Sequence, residues 1–479
     1  MQQPARQFAN LIGGEWVRHG ETAADINPSD TRDVIGEYFK ATGPDVAQAT
    51  AAARNAFRVW SRTTAQMRAD TLHKAAAELL ARREELGEQL AREEGKTRAE
   101  GIGEVLRAGQ VVQFFGGEAI RLSGERLPAV RPGVDIDITR EPLGVIGVIT
   151  PWNFPIAIAA WKIAPALAFG NTVVFKPSEL TPASAWSLVD IFHRAGLPSG
   201  AVNLVMGDGA VVGAALTEGV DAISFTGSVA TGRTIARGAL ERMVRLQLEM
   251  GGKNPLVVLD DADFDNAVNC AVNGAFFQTG QRCTASSRLI VTHNIHDRFV
   301  AAVRERMQAL KVDHALKAGT EVGPVVDERQ LEKNRRYLEI GRSEGAQLTG
   351  GELLARETPG FYQAAALFTE TTNSMRINRE EIFGPVASVI KVRDYEEALS
   401  VANDTDLGLT AGICTTSLKH ARHFQANAQA GLVMVNVPTA GLDYHVPFGG
   451  RKASSYGPRE QGSYAAEFYT VIKTAYISA

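Results

Sequence analysis

Cysteine is scarce in this chain, with only Cys270, Cys283 and Cys414 among 479 residues. So sparse and odd a set excludes a disulfide framework and leaves a free thiol to be explained. Charge of one sign is also lacking: the formal net charge is -4 with 22% charged residues. Without a basic excess there is no electrostatic footprint for a polyanion, and nucleic acid is not an expected partner. Long hydrophobic runs are missing as well. A membrane span needs about 20 apolar residues, whereas the greasiest stretch, 156–169, is interrupted by Lys162 and Pro165 and reads as a buried helix. Residues 1–10 hold no apolar run behind basic residues, so neither a secretory signal nor an anchor is read there, and the cytoplasm is the expected location. No residues have metal-ligand spacing, and no bound metal is expected.

What is present is the composition of a globular protein, 45% hydrophobic. At roughly 150 residues per domain the length allows two or three domains, and hence a cleft between lobes. A short hairpin at Ile12-Gly-Gly-Glu-Trp16 is followed by a helical region over about 43–116, in which Leu72, Ala75, Ala76, Leu79, Leu80 and Leu86 recur at helical spacing. From Leu143 the texture changes. Short β-branched runs at 145–149, 172–175, 201–205, 222–225 and 244–248 alternate with helical stretches, the pattern of a mostly parallel nucleotide-binding sheet. A second series begins at Gly252, with strands at 255–259 and 288–291 and a helix at 266–277. The β-rich segments 134–139 and 468–477 fit neither rhythm and read as a projecting ribbon that makes an oligomer contact. The fold class is therefore α/β, with a Rossmann-type lobe, a second α/β lobe and a β-ribbon.

Four places can carry chemistry. Cys283 follows a helix in Gly280-Gln-Arg-Cys-Thr284, where the neighbouring cation of Arg282 can raise the thiolate fraction. Taken alone it is either a loop nucleophile or a buried structural cysteine; Cys270 and Cys414 lie in apolar runs and read as structural. Glu249 ends an apolar strand before Gly251 and Gly252, a place for a general base or for a structural ion-pair partner. Phe225-Thr-Gly-Ser228 runs from a strand into a helix start, where exposed N–H groups bind phosphate, although it lacks both G-x-G-x-x-G and the P-loop lysine. Pro151-Trp-Asn-Phe-Pro155 is stiffened by two prolines and presents Asn153, whose amide can donate to an oxyanion; a rigid turn with an aromatic plug is the plainer alternative.

Together with Lys176-Pro-Ser-Glu179, Leu248-Glu-Met-Gly-Gly-Lys-Asn-Pro255, Glu380-Glu-Ile-Phe-Gly-Pro385 and Pro447-Phe-Gly-Gly450, in this order, these motifs resemble the aldehyde dehydrogenase superfamily over nearly the whole chain. The resemblance implies a cofactor domain over 1–122 and 143–251, a catalytic domain over 252–451 and an oligomerisation element over 123–142 and 452–479. It implies NAD- or NADP-dependent, non-acylating oxidation of an aldehyde, with Cys283 as nucleophile, Glu249 as general base and Asn153 as oxyanion donor. Implied cofactor contacts are Thr150, Pro151, Trp152, Lys176, Ser178, Glu179, Gly209, Phe225, Thr226, Gly227, Ser228, Gly251, Glu381 and Phe383. A carboxylate at Glu179 leans towards NAD over NADP, since it accepts from a ribose hydroxyl and repels a phosphate.

The stretch 435–450 and the following Ser454-Ser-Tyr-Gly457 look like the branch that oxidises 2-oxoglutarate semialdehyde, with Ser-Ser-Tyr-Gly standing where Ser-Gly-x-Gly is usual. The implied substrate contacts are Arg282, Phe154, Trp161, Phe277 and Phe448; Tyr444 and His445, just before Phe448, either line the mouth of the pocket or, for His445, form a satisfied loop histidine. Arg282 is the candidate clamp for a substrate carboxylate, or else points away to a structural acid. A homodimer or homotetramer is expected. Succinate or glutarate semialdehyde and broad-specificity oxidation stay open, as does a non-catalytic binding protein on the same fold. An acylating relative would tend to lack Glu249.

Overall fold

The computed structural model describes residues 6–478; residues 1–5, at the start of the segment without a readable signal, lie outside it. Its largest sheet has eight strands, in the order Ser455–Tyr456, Arg245–Glu249, Ala222–Thr226, Val145–Ile149, Thr172–Lys176, Val202–Leu204, Asn10–Ile12 and Glu15–Val17. The five from Arg245–Glu249 to Val202–Leu204 run parallel. Helices cover such a sheet on both faces, which is why its central strands are continuously apolar rather than alternating. Every residue of Val145–Ile149, Thr172–Lys176 and Ala222–Thr226 is buried.

The long helical region predicted from 43 onward is four helices, Gly43–Trp60, Ala65–Ala81, Arg83–Glu94 and Arg98–Arg121. Local chemistry sets the breaks. Thr42 and Thr97 form capping boxes with Asp45 and Glu100, and Gly95 ends the third helix in the left-handed region at φ 94°. The greasy stretch becomes the buried helix Ala157–Ala168.

The second lobe is built on a seven-stranded sheet ordered Gln347–Gly350, Ala366–Thr371, Val386–Val392, Ser286–Thr292, Asn254–Val258, Thr410–Cys414 and Leu432–Val435, parallel except at its first pair. Phe264–Phe276 packs on it, and Cys270 and Cys414 are both buried in its core.

The third sheet is the expected ribbon. Thr470–Ser478 pairs antiparallel with Val134–Pro142 in unbroken register, and Glu125–Pro128 flanks the latter. The segment 452–469, ahead of Thr470–Ser478, makes contacts of its own. Ser455–Tyr456 joins the large sheet beside Arg245–Glu249, and Phe468 and Tyr469 are buried in the first lobe's core within the short helix Ala466–Tyr469. An apolar stretch that fills a core as a helical turn looks the same in sequence as the start of a strand. Among the described residues no helix is long and apolar enough to cross a membrane, and no group of three or more His, Cys, Asp or Glu could hold a metal.

Candidate active site

Asn153 and Cys283 arrive from different lobes and are fastened to each other. The amide nitrogen of Asn153 donates to the carbonyl of Gln281, two residues before the thiol, at 2.9 Å. An amide carries two N–H donors, so one locks the side chain in place while the other is free to meet an oxyanion. Asn153 is held from behind too. The buried ammonium of Lys96 donates to its carbonyl at 2.7 Å and to Glu104 at 2.6 Å, and lies 4.3 Å from the ring centre of Phe154. The other oxygen of Glu104 accepts from the backbone N–H groups of Ile156 and Ala157 at 2.9 and 3.1 Å, capping the helix that follows.

The loop that carries Cys283 is folded by three successive residues in the left-handed region, Gln278 at φ 50°, Thr279 at φ 57° and Gly280 at φ 64°. Such a run is unfavourable for side chains other than glycine and persists where surrounding contacts over-determine it. Here Glu100 accepts from the N–H of Gln278 at 3.1 Å, the hydroxyl of Thr279 donates to Gly323 at 3.1 Å, and Gln281 Oε1 accepts from Val326 at 3.0 Å. A Cβ on Gly280 would lie 2.1 Å from the carbonyl oxygen of Gly384, so only glycine fits. Beyond the loop, Asn254 donates to the carbonyls of Cys283 and Ala285 at 2.8 and 2.9 Å. Burial, with Glu381 and Glu249 adding to it, pushes the thiol up to about 12, against a smaller opposing effect of the nearby backbone N–H groups of Cys283 and Thr284.

Glu249 is buried at the end of its strand. Burial first, and then the neighbouring Glu460 carboxylate, raise it well above the ordinary carboxylate range; the hydroxyl of Ser455, Lys162 and Arg459 oppose the rise. Glu460 is ion-paired with the fully buried Lys162, which also donates to Ser224 at 2.9 Å. A carboxyl so placed is weakly acidic and, once ionised, a strong enough base to take a proton from water.

A cleft of about 1680 Å³ in the first lobe is lined by Thr150, Pro151, Trp152, Lys176, Ser178, Glu179, Gly209 and Phe225 to Ser228. At one end Glu179 accepts from Lys176 at 2.9 Å and from the N–H of Gly209 at 2.7 Å. The hydroxyls of Thr150 and Thr226 are buried in it without a partner, which fits a cleft that receives a polar ligand. Ser228 caps the helix Val229–Leu240 at the cleft wall, so N–H groups of a helix start face it. Trp152 meets Phe383 edge to face at 5.4 Å, joining the cleft to Glu381, which accepts from Gly252 at 3.0 Å. A Cβ at Gly251 would lie 2.3 Å from Glu381, so that glycine makes room for the carboxylate. Sequence reasoning did not single out Gln330 and Lys333, which line the same cleft from the helix Glu328–Ser343; a polar residue on an amphipathic helix gives no signal by itself.

Of the residues read as substrate contacts, Trp161 and Phe448 lie together at 5.6 Å between ring centres, Phe154 sits against Lys96, and Phe277 is at the fringe of the second core. Arg282 is placed otherwise. Its guanidinium donates to the carbonyls of Asn273 and Gly274 at the end of the preceding helix, not to a structural acid, and its Nε is buried without a partner. Those carbonyls have no partner of their own within the helix, which draws the cation to them. His445 is exposed, while Tyr444 packs at 5.9 Å from Phe114 and carries Arg107 over its ring at 5.6 Å.

Residues 16–475 match the family model described as the aldehyde dehydrogenase family. The chain is 43% identical over 477 residues to the alpha-ketoglutaric semialdehyde dehydrogenase of Bacillus subtilis, covering 98% of each protein. It is 41% identical to the 2,5-dioxopentanoate dehydrogenase of Saccharolobus solfataricus, over 97% of this chain and 98% of that one. Among solved structures it is similar to betaine aldehyde dehydrogenase from Staphylococcus aureus in complex with NAD+, with a TM-score of 0.96, 35% identity, and 98% and 95% of the two chains covered. The chain belongs to the aldehyde dehydrogenase family.

Proposed function

We propose that this chain oxidises 2-oxoglutarate semialdehyde to 2-oxoglutarate with NAD in the cytoplasm, as a homodimer or homotetramer. The observation that carries the reading is the fastening of Asn153 to the nucleophile's loop at Gln281, beside a buried Glu249. Cys283 loses its proton to solvent, the thiolate sulfur bonds to the aldehyde carbon, and the oxygen that gains the electron pair is met by the free N–H of Asn153 and by the backbone N–H of Cys283. NAD, when bound in the cleft between Glu179 and Glu381, supplies the hydride acceptor for this chemistry. Glu249 then takes a proton from water, the water oxygen bonds to the acyl carbon, the carbon–sulfur bond breaks and the thiolate is restored. Glu179, held by Lys176 and Gly209 with a carboxylate facing the cleft, favours a ribose hydroxyl over a phosphate and so NAD over NADP.

The semialdehyde assignment draws on the full-length similarity to the relatives from Bacillus subtilis and Saccharolobus solfataricus. Such a substrate carries its own carboxylate. With Arg282 tied to helix carbonyls, the half-buried Arg107 is the better candidate for it. Its guanidinium rests on Tyr444 and forms no ion pair among the described residues; a stacked guanidinium keeps its in-plane N–H groups for a bidentate carboxylate.

Initial rates with NAD and NADP, each against 2-oxoglutarate, succinate and glutarate semialdehydes and an uncharged aldehyde of similar length, test the reading. A tenfold or larger advantage in kcat/KM for the dicarbonyl acid, about 1.4 kcal/mol, supports it. Equal use of the uncharged aldehyde overturns the substrate and leaves the family.

A further inference from the structure

The segment Ser454-Ser-Tyr-Gly457 lies against Glu249. Ser455–Tyr456 pairs antiparallel with Arg245–Glu249, and the register sets Ser455 directly opposite Glu249. Side chains opposite one another across an antiparallel pair share a face and touch. The hydroxyl of Ser455 is hydrogen-bonded to Oε2 of Glu249. It also accepts the N–H of Gly450 at 2.6 Å. Because that N–H occupies one lone pair of the hydroxyl oxygen and points nowhere else, the serine proton is left to be donated, and the carboxylate is its recipient. The bond therefore favours the ionised carboxylate over the neutral acid.

We propose that Ser455 is a positioning residue for Glu249, fixing the carboxylate at the strand end and keeping a working fraction of it ionised for hydrolysis of the acyl-enzyme. The need for such a device is visible in the surroundings. Glu249 is buried, and the groups that face it are Glu460 and Cys283 on the acidic side and Lys162 and Arg459 on the basic side. Lys162 is already committed to Glu460 and Ser224, and Arg459 donates to the carbonyl of Gly450. Neither cation forms a hydrogen bond with Glu249, whereas Ser455 does. A glycine at this position would leave the carboxylate to the opposing influence of burial and Glu460.

The inference rests on Glu249 acting as the hydrolytic base. Acylation of Cys283 by p-nitrophenyl acetate, followed by mass spectrometry of the decay of the acyl-enzyme across pH 5 to 10, isolates that step without the cofactor. In Ser455→Ala and Ser455→Gly the inflection of the decay rate is expected about one pH unit higher than in the parent, with hydrolysis at pH 7 roughly tenfold slower, the effect of one hydrogen bond to a charged group. Ser455→Thr, which keeps the hydroxyl, is expected to hold the parent's profile. An unchanged inflection in the Ala and Gly variants overturns the role of Ser455. Hydrolysis that survives intact in Glu249→Gln overturns the base itself, and the two failures are distinguishable.

Discussion

The side-chain amide of Asn153 donates to the backbone carbonyl of Gln281 at 2.9 Å. One hydrogen bond thus joins the proposed oxyanion donor of the first lobe to the loop that carries Cys283 in the second. Replacement of Asn153 by Ala removes both the strut and the donor. A fall in kcat of about 100- to 1000-fold is expected, the loss that accompanies removal of one oxyanion donor. Steady-state kinetics with any accepted aldehyde check it, and a KM effect alone would assign Asn153 to binding.

Burial holds the thiol of Cys283 at about 12 against an ordinary value near 9. The neutral thiol is therefore the form that the fold favours. Folding is penalised only as pH rises from about 9 towards 12, and the thiolate fraction climbs throughout that range. Alkylation by iodoacetamide of the cofactor-free protein is expected to accelerate about tenfold per pH unit from 7 to 10 with no plateau. A rate that levels off above about pH 9 would show an ordinary, solvated thiol.

Lys96 and Glu104 are fully buried partners behind Asn153. Removing one member of such a pair strands the other, at a cost of about 3–5 kcal/mol. Lys96→Met is expected to lower the thermal midpoint and kcat together. Glu104→Gln, which keeps an acceptor for the N–H groups of Ile156 and Ala157, is expected to lose less stability. Calorimetry of the two variants beside the parent measures the difference.

The ribbon strand Thr470–Ser478 exposes Ile472 at 63% and Tyr476 at 62%, on a sheet whose outer edges are unpaired. Exposed apolar side chains beside a strand edge left unpaired among the described residues favour pairing with another chain, as the proposed homo-oligomer requires. The double substitution Ile472→Glu with Tyr476→Glu is expected to reduce the sedimenting mass while leaving the circular dichroism spectrum unchanged. A parent that already sediments as a monomer at micromolar concentration contradicts the assignment.

Much of this molecule could be read in its sequence because its chemistry sits in short segments with a backbone reason to exist. The apolar runs at 145–149, 172–175 and 222–225 are buried on both faces and so reveal parallel strands, and Pro151, Pro155, Gly251 and Gly280 punctuate the turns that present Asn153, Glu249 and Cys283. What could not be read depends on side-chain direction or on pairings distant in the chain. Arg282 follows three left-handed residues that reverse the backbone, and its adjacency to Cys283 gave no hint that it caps a helix end. Ser455 meets Glu249 across 206 positions, through strand pairing. Phe468 is as apolar as a ribbon residue would be, and only packing tells that it belongs to the core.

The central claim, a thioester on Cys283 resolved by Glu249, is tested most directly by rapid mixing of Glu249→Gln with NAD and 2-oxoglutarate semialdehyde. The expected result is a burst of one NADH per active site followed by a stall, with Cys283 carrying the acyl group by mass spectrometry. Sustained turnover at the parent's rate, or the absence of both burst and adduct, would contradict it.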